Sequence, residues 1–488
     1  MQADTKDNNK AVTRKDSIEG LYRLSGLQHG MLFHGLYDSG TGAYVNQFRC
    51  DLINPDLEIF GKCWNNLIKS HSILRSVFYH DKLKMPVQCV FKEAKLKVEV
   101  MDFRNMNPAD QNKAIKEYED KDIINGFDFD NAPLMRIALI RLDEERYIMI
   151  LTYHHIILDG WSISIMMVEF LKMYEAMLSG KEIEIPEPDK FEDYIRYIEK
   201  VDKKKEQSYW KNYLKGIESG NLLPFIDKSA ERNKGAGEYK SLYLDLNPEV
   251  TEKIQSYAKR NRITVNTIMQ GTWSYCLRNY TGTNNPLFGV IVSGRPDDLQ
   301  RVEHRVGLYI NPLPIHTEIK DDKKISEWLQ ELQKDQVSSR QFQHTALHDI
   351  QSWTGIQGDM FDCLLTFENF PVSEVLSKGD WKLKIENLQT FDKNNYPLTI
   401  IITLADKIRL RFSYNTELLA GEYVNDIRKH FENVLMQIIE KDEMYIGEIS
   451  ILPDDEVQKL LSEYNAGSVE YPEKSVVDLF EKQVLKTP

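Results

Sequence analysis

Apolar positions along this chain change their period several times, and each change marks an element. RYIMILTYH (146–154) is almost continuously apolar, which predicts a buried strand. SISIMMVEFLKMYEAML (162–178) sets Ile163, Met166, Met167, Phe170, Leu171 and Tyr174 on one face of a helix and Glu169, Lys172 and Glu175 on the other. NLIKSHSILRSVF (66–78) reads as a helix running into a strand. The later sequence repeats the mixture. NPEVTEKIQSYAKR (247–260) has Pro248 at a first helical turn, VNTIMQGTWSYCLRNY (265–280) is a second helix, and PLFGVIVSGR (286–295) is a buried strand ending in Gly-Arg. LTIIITLADKIRLRFSYN (398–415) predicts a hairpin turning at Ala-Asp-Lys, and YVNDIRKHFENVLMQIIEK (423–441) a helix.

Strand and helix alternate in both halves, so the expected class is α/β with two subdomains. Gly180 and the prolines of 179–190, followed by the charged run VDKKKEQ (201–207), place the boundary between about 185 and 235. No internal repeat is visible. Residues 1–16 are charged and read as disordered or as a tether. After about 452 the style changes to a linker and a short helix, as if a further unit began there.

Composition narrows the function more than the fold. The 488 residues carry a net charge of -13, which disfavours nucleic acid as a partner, because phosphate binding needs a basic face. No apolar run reaches membrane-spanning length, and the polar start MQADTKDNNK lacks a signal-peptide core. Five scattered cysteines, none in a CxxC pair, read as buried thiols of a cytoplasmic protein.

The candidate chemistry is YHHIILDGWS (153–162), the turn between the predicted strand and helix. Adjacent histidines point oppositely if the strand persists, so one of His154 and His155 faces a cleft and the other packs. Imidazole suits proton exchange near neutral pH. Asp159 could orient a histidine, join the pair in holding a metal, or bind an arginine and brace the turn. Gly160 offers a backbone N–H at a helix start, where an oxyanion could develop. The plain alternative is that a His-His pair beside a core strand is packing. A metal site lacks supporting Cys or HExxH residues, and a serine hydrolase lacks GxSxG.

HHxxxDG on such a turn resembles the condensation domains of nonribosomal peptide synthetases and, more widely, chloramphenicol acetyltransferase. The resemblance continues in LSGLQHGMLFH (24–34), HSILRSVF (71–78), FEDYIRYI (191–198), VSGRPDDL (292–299), VGLYINPLPI (306–315), NNYPLTI (394–400) and RLRFSYNTELL (409–419), covering roughly residues 17 to 488. It implies two chloramphenicol acetyltransferase-like subdomains in a V-shaped pseudodimer with a tunnel between them, at 17–190 and 191–455. Residues 1–16 would then be a linker from a carrier domain, and 456–488 a linker and the truncated start of an adenylation domain.

The same resemblance implies roles. His155 is the catalytic residue, His154 packs, and Asp159 pairs with Arg295. Gly160 is a candidate contact for developing charge. Trp161, Ser162, Asn311 and Tyr396 are tunnel candidates, with Ser162 also a candidate helix cap. The implied reaction is amide formation between an upstream peptidyl or acyl thioester and a downstream aminoacyl thioester. Both ride on 4'-phosphopantetheine arms of carrier proteins, and the chain itself binds no cofactor or metal. Expected partners are those two carrier proteins and the adjoining adenylation domain, with no nucleic acid and no membrane, the piece being monomeric.

INPLP (310–314) and the GMLFH opening lean towards an L-configured donor. Departures from the family pattern are Gly26, Pro312 and the missing terminal Trp of FEDYIRYI. An epimerisation domain shares the motif but is generally not followed directly by an adenylation domain. A cyclisation domain would replace the histidines by aspartates, and a plant-type acyltransferase would carry DFGWG. A non-catalytic docking module typically loses the motif.

Overall fold

The computed structural model describes residues 17–37, 42–81, 84–182, 188–227, 229–230, 232, 237–368, 381–391, 395–441, 443–463 and 474–487. The expectation for residues 1–16 lies outside them, as does Asn394 of the NNYPLTI segment.

The first half is built on a five-stranded sheet. Its order is Lys384–Phe391, Val45–Ile53, Arg146–His154, Met135–Arg141 and Val98–Asp102. The pairs are antiparallel except the last. Arg146–His154 is central and buried on both faces, which is why its sequence does not alternate. Met149, Leu151 and Tyr153 enter the main core, where the helices Leu57–Ser70 and Gly160–Leu178 pack. Phe170 meets Phe60 and Trp64 there, with ring centroids 5.1 and 5.2 Å apart. Ile148 and Ile150 enter a smaller cluster on the opposite face with Ile115 of the helix Pro108–Asn125.

The second half is a six-stranded sheet ordered Asn311–His316, Leu287–Val292, Cys363–Glu368, Leu398–Leu404, Ile408–Asn415 and Tyr239–Asp245. The hairpin turns where the sequence predicts it, with Leu404 opposite Ile408. The helices Pro248–Asn261, Val265–Thr281 and Gly421–Glu440 bury their apolar faces in one core with this sheet. Pro248 sits in the first turn, behind an Asn247 cap whose side chain accepts from the Val250 N–H.

The boundary at residue 190 does not coincide with a change in packing. Phe191, Tyr194 and Ile195 belong to the first core, as do Val302, Val306, Leu308, Tyr309 and Leu383. The change of core comes later, between Ile198 of the first core and Tyr209 and Trp210 of the second, inside the 185–235 window that the composition shift marks. The second half therefore returns twice to the first, once as the segment 302–309 and once as the strand Lys384–Phe391. Nor does 456 separate linker from body. The helix Asp454–Ser462 spans it, and Glu456 accepts from His430 Nε2 at 2.8 Å. Among the described residues no helix is long and apolar enough to cross a membrane.

Candidate functional site

The central strand ends at His154, and the helix starts at Gly160. Between them the chain makes a tight turn, closed by Ile157 N–H to His154 O and Leu158 N–H to His155 O, both 3.2 Å. His154 is 2% exposed. Its Nδ1 accepts the Ile156 N–H at 3.1 Å, so the neutral ring carries its proton on Nε2. Phe129 packs edge-on against it, centroids 4.9 Å apart. Burial, and secondarily the neighbouring His155, push its pKa down to about 3.

His155 is half-buried and bound differently. Its backbone N–H donates to Tyr44 O at 2.8 Å, and its Nδ1 lies 2.6 Å from Leu158 O. A carbonyl only accepts, so Nδ1 carries the proton, and in the neutral ring Nε2 keeps its lone pair. One motif thus holds two opposite tautomers.

Asp159 is buried and caps the helix: its Oδ1 accepts the Ser162 N–H at 2.8 Å. Oδ2 accepts the Tyr309 N–H at 3.0 Å, and its own N–H donates to Gly307 O at 3.2 Å. Arg295 Nη2 approaches Oδ1 at 3.3 Å, while Nη1 donates to Val302 O at 2.6 Å and Arg305 O at 2.8 Å. The guanidinium lies 4.2 Å from the Tyr309 ring centroid and 5.7 Å from that of Trp161. Gly294 makes this possible. Its φ is +62°, and a Cβ there would stand 1.6 Å from Tyr309 O. Of the three chemical roles open to Asp159 from sequence, the one its contacts describe is arginine binding.

The other candidate residues divide: Ser162 and Trp161 belong to this arrangement, and Asn311 and Tyr396 lie apart from it. Ser162 is fully buried, so it does not line a tunnel. Nor is it the cap. That is Asp159, because the helix begins two residues earlier than its apolar periodicity shows. The Ser162 hydroxyl lies 2.7 Å from Asp159 Oδ1 and 2.8 Å from Gly307 O, and accepts from Arg295 Nη2 at 3.1 Å. Trp161 is half-buried and donates to Glu303 O at 3.2 Å. Asn311 is 5% exposed and ties down a loop, donating to Gln343 O at 3.0 Å and Thr345 O at 2.6 Å. Tyr396 packs against the second core, stacked on Phe361 at 5.7 Å. Gly160 is the half-buried first residue of the helix.

Sequence reasoning missed Gln28. It is fully buried, and its Nε2 donates to Ile156 O at 3.2 Å, holding the turn from the opening segment. Its sequence signals were a polar residue inside an apolar stretch and a place in the segment LSGLQHGMLFH (24–34). Tyr309 and Gly307 were also missed as parts of the turn's support.

The condensation-domain family model matches residues 18–461. The chain belongs to that family. Its sequence is 33% identical over 482 residues to a linear gramicidin synthase of Brevibacillus parabrevis, covering 98% of this chain but 6% of that protein. It is 31% identical over 478 residues to bacitracin synthase 3 of Bacillus licheniformis, covering 97% of this chain and 7% of that protein. The condensation domain is thus a small part of the length of such relatives. Its fold superposes on a holo four-domain nonribosomal peptide synthetase bound to AMP and glycine, with TM-score 0.78 at 17% identity, over 96% of this chain and 37% of that one. It also superposes on the first condensation domain of the calcium-dependent antibiotic synthetase in complex with a substrate analogue, with TM-score 0.71 at 16% identity, over 88% of this chain and 100% of that one. The pseudodimer of chloramphenicol acetyltransferase-like subdomains implied by the motifs is the fold this condensation domain has.

Proposed function

We propose that this condensation domain forms amide bonds, joining an acyl or peptidyl thioester to the α-amino group of an aminoacyl thioester. The observation that carries this is the His155 ring, fixed through Nδ1 by the Leu158 carbonyl on a turn braced from both halves of the chain.

The amine nitrogen attacks the thioester carbonyl, the C–N bond forms, and the C–S bond breaks. The amine loses one proton, and the departing thiolate takes one up. His155 Nε2 accepts a hydrogen bond from the attacking amine, orients it, and takes or shares its proton. General-base assistance of this kind contributes about 10²–10⁴-fold. A thioester is already activated, so holding the two arms in a dry tunnel between the halves supplies much of the remainder.

The substrates arrive on phosphopantetheine arms of an upstream donor and a downstream acceptor carrier protein, and an adenylation domain adjoins. An L-configured donor fits the INPLP segment. The five cysteines are free and buried, which agrees with work in a reducing cytosol.

The test is a single-turnover assay with both carrier proteins loaded. Wild type should release amide product, and His155→Ala should be slower by at least about 100-fold with an unchanged melting temperature. Equal turnover by the two would remove His155 from the chemistry.

A further inference from the structure

We propose that His71 is a positioning residue, a clamp that holds the motif helix and the returning segment 306–309 in one register. This rests on the amide-forming reading for its kinetic consequence, though not for its structural one.

His71 lies just past the helix Leu57–Ser70 and is 1% exposed. Both ring nitrogens face carboxyl groups. Nδ1 is 3.1 Å from Asp189 Oδ2, and Nε2 is 2.7 Å from Glu169 Oε2. Carboxylates only accept, so two hydrogen bonds here require two protons among the three groups. Burial alone would push the His71 pKa down. The hydrogen bonds and charges of Asp189 and Glu169 outweigh it and raise the value to about 9. Near neutral pH the ring is an imidazolium between two carboxylates.

The partners are informative. Glu169 belongs to the helix that begins at Gly160, about two and a half turns beyond the motif. Asp189 Oδ2 also accepts the Val306 N–H at 2.8 Å, and Asp189 Oδ1 is buried without a hydrogen-bond partner among the described residues. Its charge is therefore answered through one oxygen, by His71 and Val306. One residue further on, Gly307 N–H donates to Ser162 Oγ at 3.0 Å, and Tyr309 N–H then donates to Asp159. The returning segment is thus suspended between two carboxylates, the half-buried Asp189 and the buried Asp159. Each has its own cation, His71 and Arg295.

Other titratable groups around the clamp are Tyr22, Tyr309, Glu192, Asp193 and Arg305. Burial raises both tyrosines, so they stay neutral. Arg305 is paired with Asp193 at 2.9 Å. The proton that changes in this cluster at mildly alkaline pH is the one on His71. Its value is raised on folding, so its contribution is complete below about 6.5 and is lost as pH rises through about 9.

The experiment uses ¹⁵N-histidine NMR on the whole chain, with His71 assigned by His71→Gln. Both ring nitrogens should be protonated at about pH 7.5 and titrate near pH 9. The Ser162 and Tyr309 amide signals should shift with them in wild type, and be shifted at every pH in the variant. Glu169→Gln, at a partly exposed position, should lower the midpoint by at least about one pH unit. In the loaded-carrier assay, the ratio of wild-type to His71→Gln rate should be roughly tenfold at about pH 7.5 and fall towards one above about pH 9. A neutral His71 ring at pH 7.5 overturns the proposal. So does a rate ratio that does not change with pH, which marks a merely structural loss. If wild type forms no amide, the proposed reaction fails while the NMR titration still decides the clamp.

Discussion

Asp159 and Arg295 face each other at 3.3 Å with both side chains buried, one from the histidine turn and the other three residues past the second-half strand Leu287–Val292. Removing one partner strands the other's charge in the interior. Asp159→Ala and Arg295→Met should each cost about 3–5 kcal/mol in urea unfolding. The double variant should cost clearly less than the sum, because no charge is left buried. Additive losses would show that the two are not coupled.

His154 makes stability fall on the acid side. Its folded value is about 3, and an unfolded histidine titrates near 6.5. Between those limits the unfolded chain binds a proton that the folded chain refuses. Stability should therefore fall by about 1.4 kcal/mol per pH unit as pH drops from 6.5 towards 3. In His154→Leu the dependence between about pH 6 and pH 4.5 should be shallower by that one proton, whatever its absolute stability. Identical slopes would contradict a neutral, buried His154.

Two glycines at positive φ, Gly294 at +62° and Gly282 at +71°, should respond differently. Gly294→Ala puts a methyl group against Tyr309 O and displaces Arg295, for a loss of about 3 kcal/mol. Gly282 ends a helix at φ +71° with nothing within 4 Å of its added Cβ. Gly282→Ala should cost only about 1 kcal/mol. Comparable losses in thermal or urea melts would mean that the close approach at Gly294 is unimportant.

Tyr309 supports Arg295 with its ring, while its hydroxyl is buried with no hydrogen-bond partner among the described residues. Tyr309→Phe should leave activity unchanged and raise stability by up to about 1 kcal/mol. Tyr309→Leu should lower both, since the face beneath the guanidinium is gone. A destabilised Phe variant would show that the hydroxyl is bonded after all.

The elements were legible in the sequence wherever burial dictated a period. The strand Arg146–His154, the helix after it and the hairpin at 398–415 fall within a residue or two of expectation. The pairing of Asp159 with Arg295, expected from motif resemblance, is an ion pair in the structure. What local pattern could not show was chain crossing. Nothing in the apolar period of VGLYINPLPI says that its first residues pack in one core and its last in the other. Asn311 and Ser162 were expected beside substrate and instead satisfy backbone or buried polar groups. A polar residue type alone does not tell these uses apart.

The strand Lys384–Phe391 lies against Val45–Ile53 and covers its outer side. Without it, the first sheet would present a row of bare N–H and C=O groups, a template for foreign strands. The two halves are therefore not portable parts. A chimera that joins one homologue's first half to another's second half imports a foreign sheet edge along with it, and must match that seam.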